Sequence, residues 1–115
     1  MEKLFMVLLG CTPPGRHTEQ HDVFFGVARE LKEMVEDFKT FWPEAQGRVH
    51  IDAWRQLTQL QGFAVEVTNI RVSNTSAERL FFINLGGYKP GVFEEFHYKM
   101  ILEAPKMFFL QIMHR

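Results

Sequence analysis

The chain has 115 residues, 46% of them hydrophobic and 23% charged, with a formal net charge of -1. That is the make-up of one compact domain with a single core, and the near-neutral charge excludes a global field steering it to nucleic acid or an anionic membrane. One cysteine, Cys11, excludes an intrachain disulfide and a Cys-rich metal site, which fits a reducing cytoplasm.

The first nine residues, MEKLFMVLL, carry one Lys and then an apolar run that mimics the start of a signal peptide. The run ends at Gly10 and Pro13-Pro14, too short to span a membrane, so it reads as a strand of a soluble, unexported protein. A Gly/Pro loop with a tight turn at Pro14-Gly15 follows, then a second strand, HDVFFGVA. Leu31, Met34, Val35, Phe38, Phe41 and Trp42 recur at helical spacing opposite a charged face, and Pro43 stops that helix.

Next, His50, Asp52 and Trp54 alternate with Ile51 and Ala53, and Phe63, Val65 and Val67 alternate with Ala64, Glu66 and Thr68. This pattern predicts two half-buried strands linked by a turn near Gln61-Gly62. RVSNTSAE is polar and turn-prone, hence a loop. The chain then repeats itself: LFFINLGG is a strand, Pro90-Gly91 a turn, FHYKMILEA a strand, and PKMFFLQIMHR a second helix with Pro at its start.

Laid over one another at an offset of 76, residues 4–28 and 80–104 match without gaps at nine of 25 positions, including Gly10/Gly86, Pro14/Pro90, Gly15/Gly91, Glu19/Glu95 and His21/His97. Chance at average composition gives about one or two. The expected architecture is α+β: a mainly antiparallel sheet with two helices on one face, in a pseudo-symmetric ββα-ββ-ββα duplication. One domain spans residues 1–115, with unit one at about 1–43, a linking hairpin at about 47–70 and unit two at about 79–115.

HIDAW together with FFINLGGYKPGVFEEFH resembles the bacterial domain-of-unknown-function family 1543, over nearly the whole chain. The resemblance implies a small bacterial cytoplasmic protein with a duplicated unit, and no activity. Unit one departs from it, with Cys11 and Thr12 where unit two has Gly87 and Tyr88.

Chemistry concentrates in three pairs. Glu19-x-His21, Glu95-x-His97 and His50-x-Asp52 each put a carboxylate and an imidazole on one side of an extended segment. Three readings stand. The pairs brace their own loops by hydrogen bonding, or they frame a pocket for a small polar ligand, or they serve a metal-assisted, hydrolase-like enzyme with His21, His50 and His97 as candidate metal ligands. Bracing ranks first and metal or catalytic use last, and catalysis by a Cys11–His17 pair ranks below all three because no third orienting group is present.

Trp54 joins His50 and Asp52 in a binding strip if that face meets solvent; if the face is core-side, the more frequent outcome for Trp, it packs and the polar pair finds partners inside. Gly86-Gly87 and Pro90-Gly91, with Tyr88 and Lys89 beside them, read first as a hairpin loop whose glycines meet unusual φ requirements and second as an anion or small-ligand cradle. The functional expectation is a homodimeric module for a small polar ligand or partner protein. The dimer contact falls on the apolar C-terminal helix, where Met107, Phe108, Phe109, Leu110, Ile112 and Met113 leave few polar residues.

Overall fold

KLFMVLLGC alternates between two sets of apolar side chains, so a strand built from it can be buried on both faces and belongs in the middle of a sheet. The computed structural model describes residues 1–68 and 78–105. Its backbone forms two compact units, Met1–Gln59 with Ala64–Asn69 and Leu60–Phe63 with Ile70–Arg115.

In the first unit, β1 (Lys3–Cys11) is the central strand, with β2 (Gln20–Ala28) on one side and β3 (His50–Gln56) on the other, both antiparallel. Phe5, Val7, Leu9 and Cys11 are buried. Over the face that Phe5, Val7 and Leu9 line lies one helical segment, a 3₁₀ turn at Leu31–Met34 running into α1 (Val35–Phe41).

That segment starts where the sequence supplies a cap: the Glu33 carboxylate accepts from the backbone N–H groups of Arg29 (2.9 Å) and Glu30 (2.8 Å). It ends at Trp42, ahead of Pro43. Met34 and Phe38 join Phe5, Val7 and Leu9 in the core, and Phe24 meets the edges of Phe38 and Phe41 at 5.2 and 5.3 Å. Burial of a side chain such as Leu9 contributes roughly 1.5–3 kcal/mol. Gly26 lets the helix sit this close, since a Cβ there would stand 2.6 Å from Met34 Sδ.

The second unit holds an antiparallel pair, β6 (Glu78–Gly87) and β7 (Phe96–Pro105). Between the β3 and β6 strands the chain makes a two-residue ladder, β4 (Gln59–Leu60) with β5 (Phe63–Ala64), around Gln61 and Gly62 at φ 51° and 83°. Two left-handed residues are what a tight hairpin turn requires.

The β1–β2 and β6–β7 hairpins have one register: Gly10 lies opposite His21, and Gly86 lies opposite His97. Their connections match too. Arg16 N–H donates to Pro13 O, and Val92 N–H donates to Lys89 O, both at 3.2 Å, with Gly15 and Gly91 at φ 80° and 77°. Pro followed by a glycine of positive φ is the chemistry of a type II turn.

The expected sheet with two helices on one face is corrected. Among the described residues the helical content is that single 11-residue segment and one further 3₁₀ turn at Pro43–Ala45, and strands dominate. Two local signals were overruled by ladder pairing. His50–Gln56, expected in a linking hairpin with 63–68, instead pairs with β1 and completes the first sheet, leaving the linker only the short β4–β5 ladder. Pro105, expected to open a second helix, closes β7 opposite Glu78, a strand end where a missing N–H costs little. The remainder of that expected helix, and most of RVSNTSAE, lie outside the described residues.

Candidate functional site

The row of residues across the first sheet at Gly10 brings two of the three polar pairs together, Glu19-x-His21 and His50-x-Asp52. Gly10 is flanked by His21 on β2 and His50 on β3, so two imidazoles stand on the same face either side of a position with no side chain. The third contributor arrives through an irregularity. Leu9 pairs with Ile51 and Leu8 with Ala53, so Asp52 is an extra residue, a β-bulge. Bulges re-aim side chains, and this one keeps the Asp52 carboxylate on the imidazole side. Glu19, one residue before β2 begins, reaches back over the same spot.

The distances are short. His21 Nε2 is 2.8 Å from Glu19 Oε1 and 2.8 Å from Asp52 Oδ2. His50 Nε2 is 3.3 Å from Glu19 Oε1 and 3.1 Å from Asp52 Oδ1. Each imidazole thus shares one nitrogen between two carboxylates, although a single N–H can point well at only one acceptor. One donor atom each from Glu19, His50 and Asp52 lies within 4.8 Å of the others. The space they enclose is marked by Gly10: a Cβ there would be 2.5 Å from Asp52 Oδ2, 2.7 Å from Glu19 Oε1 and 2.7 Å from His50 Nε2.

Desolvation pushes Asp52 up, but the hydrogen bond shared with Glu19 and the neighbouring His50 and His21 outweigh it, holding this carboxyl below its ordinary value of 3.8. An ionised carboxylate beside imidazole nitrogen is a donor set for a divalent transition metal. Tetrahedral ligands about 2.0–2.2 Å from zinc stand about 3.3–3.6 Å apart. The Glu19–His50 and His50–Asp52 separations therefore lie within a few tenths of an ångström of what such an ion needs.

The second unit repeats part of this arrangement. His97 Nε2 is 3.2 Å from Glu95 Oε1, and a Cβ on Gly86 would stand 2.8 Å from Glu95 Oε2. Here Tyr88 donates its hydroxyl to Glu95 Oε2 at 2.9 Å. That hydrogen bond, the Glu95 charge and desolvation raise the phenol above its ordinary value of 10.0. Gly86 and Gly87 belong to the β6 ladder rather than to the loop, and Lys89 lies over the Phe96 ring at 4.7 Å.

Glu19, His21, His50 and Asp52 are therefore brought together, and Tyr88, Glu95, His97 and Gly86 form a second group in their own unit. Trp54 is separated from the His50 and Asp52 pair. Beyond the bulge it pairs with Val7, on the helix-bearing face, with its ring 5.9 Å from Phe5. Cys11 is 1% exposed, out of reach of a substrate. Sequence reading passed over Gly10 as a floor for the cluster. Its signal was a glycine at a repeated position in an otherwise apolar strand.

Residues 16–67 match the model of the family described as Domain of Unknown Function (DUF1543), a span that includes Glu19, His21, His50 and Asp52. The match bears out the family resemblance over this span, which contains HIDAW, while FFINLGGYKPGVFEEFH at 81–97 lies outside it. The chain is also similar to the crystal structure of a protein Il1583 from Idiomarina loihiensis, with a TM-score of 0.74 and 26% identity, over 97% of this chain and 70% of that one. No curated protein matches the sequence. Among the described residues no helix is long and apolar enough to cross a membrane.

Proposed function

We propose that the first unit is a metal-centred binding module in which Glu19, His50 and Asp52 hold a divalent transition ion of the zinc class and His21 positions both carboxylates. The observation that carries this reading is the convergence of three donor atoms on the space left by Gly10. A bracing role alone would satisfy each imidazole with one acceptor and would not need four polar side chains turned to one point. Three protein ligands leave a coordination position for water or a small polar ligand, the arrangement of zinc sites that bind rather than merely staple.

Three further elements belong to the reading. The shared register and turns support an internal duplication in which the second unit keeps Glu95 and His97 but carries Tyr88 in place of Thr12. The apolar composition of residues 106–115 supports homodimerisation, and the single cysteine a cytoplasmic setting.

The test is titration of chelator-treated full-length protein with Zn²⁺ by calorimetry, and with Co²⁺ by visible absorbance. The expected result is one ion per chain, with affinity lost in His50→Ala and Asp52→Asn and lowered about 10–100-fold in His21→Ala, as for a residue that orients ligands. Absence of saturable binding, or equal affinity in wild type and His50→Ala, would overturn the proposal. Binding should weaken on acidification, because protons compete with the ion for its ligands.

A further inference from the structure

The first sheet carries a second cluster of chemistry, on the opposite face and toward the other end of β1. Lys3 begins β1, Arg29 follows β2 and Lys32 lies in the first helical turn; together with Phe5, Leu31 and Trp54 they line an open cleft of about 350 Å³. Lys3 and Gly10 are seven residues apart on one strand, which at about 3.3 Å per residue is roughly 23 Å. The cleft is distinct from the metal cluster.

Its floor is apolar, formed by Phe5, Leu31 and Trp54. Phe5 is buried, but Trp54, edge-on to it, is 56% exposed, because β3 is the outer strand of this sheet and the helix packs over Phe24 on the far strand. Its rim carries three cationic side chains, Lys3, Arg29 and Lys32, against one carboxylate, Glu30. Lys32 is partnered by Glu30 at 3.2 Å, whereas among the described residues Lys3 and Arg29 have no carboxylate within ion-pair distance. An indole face beside a guanidinium and ammonium groups matches a ligand with a planar ring and an anionic group: the ring stacks on Trp54 and the anion meets Arg29 and Lys3. A volume of this size suits a small molecule rather than a folded partner.

We infer that this cleft binds a small anion bearing a flat ring, of which a nucleoside monophosphate is the simplest example. It is independent of the proposed metal and persists when the ion is removed.

The experiment uses the full-length chain with chelator present, so that a phosphate held by metal cannot imitate binding in the cleft. Adenosine monophosphate, adenosine and inorganic phosphate are titrated separately by calorimetry, with tryptophan fluorescence as a second readout. The nucleotide is expected to bind saturably and at least about tenfold more tightly than either fragment. Trp54→Ala and Arg29→Ala each weaken it about tenfold or more, a loss typical of a stacking aromatic. Trp54→Phe retains binding by calorimetry and loses the fluorescence response. Arg29 is exposed, and an unchanged thermal transition checks that its removal leaves the fold intact. No binding at millimolar nucleotide, equal affinity for nucleotide and phosphate, or unaltered binding in Trp54→Ala would overturn the inference.

Discussion

Gly10 is the residue whose contribution is least apparent from its chemistry and greatest from its position. It has no positive φ to explain it; what it provides is space, and a methyl group would press on three donor atoms within 2.7 Å. Gly10→Ala is therefore expected to abolish zinc binding, while Gly86→Ala, which would meet Glu95 alone, leaves it unchanged; calorimetric titration of both variants reads the difference. In the second unit the informative residue is Tyr88. Its raised value means that its neutral form is favoured in the folded chain, a contribution fully present below 10.0 and lost as pH rises through the folded value. Of the two tyrosines, one should ionise late in an ultraviolet titration, and Glu95→Gln should bring it back toward 10.0.

At the level of elements, the two Pro-Gly turns set the register that places His21 and His97 opposite glycines. Gly15 has φ 80°, where a side chain costs about 1–2 kcal/mol. Gly15→Ala is expected to lower the unfolding free energy by about that amount in a urea titration, with little loss of metal affinity, since nothing of the cluster lies within 4 Å of a Cβ at that position. These hairpins were legible because their cues are local: apolar strands, a Pro-Gly turn and a polar residue at each strand mouth. So was the helix from Leu31, through its spacing and through Pro43. The convergence of His21 with His50 was not legible, because it depends on β3 crossing back to β1 and long-range pairing leaves no periodic trace in sequence. Alternation alone placed Trp54 with His50 and Asp52. One additional residue in the ladder sends Trp54 to the other face.

For the molecule as a whole, the first unit presents its imidazole cluster on one face of a sheet and its cationic cleft on the other, with the helix-bearing core sharing the side of the cleft. The sheet itself thus separates the two kinds of chemistry. The proposed assembly is read most directly by native mass spectrometry of zinc-loaded, full-length protein, with two chains and two ions as the expected species. A single chain carrying one ion would remove the homodimer and leave the metal module standing. An ion-free spectrum after zinc loading would count against the module.

The bulge at Asp52 has a further meaning when β3 is considered as a phase. Leaving out this residue would restore strict alternation with no other adjustment: His50 would still face Gly10, Ile51 Leu9, Ala53 Leu8 and Trp54 Val7. Deletions within a strand ordinarily reverse the facing of everything beyond them, yet here the ladder would become regular. Deletion of Asp52 is thus expected to keep the unfolding midpoint at or above that of the intact chain while eliminating zinc binding. A residue the sheet is better paired without is one the sheet itself does not require, and the cost of accommodating it falls at the point where the metal would sit.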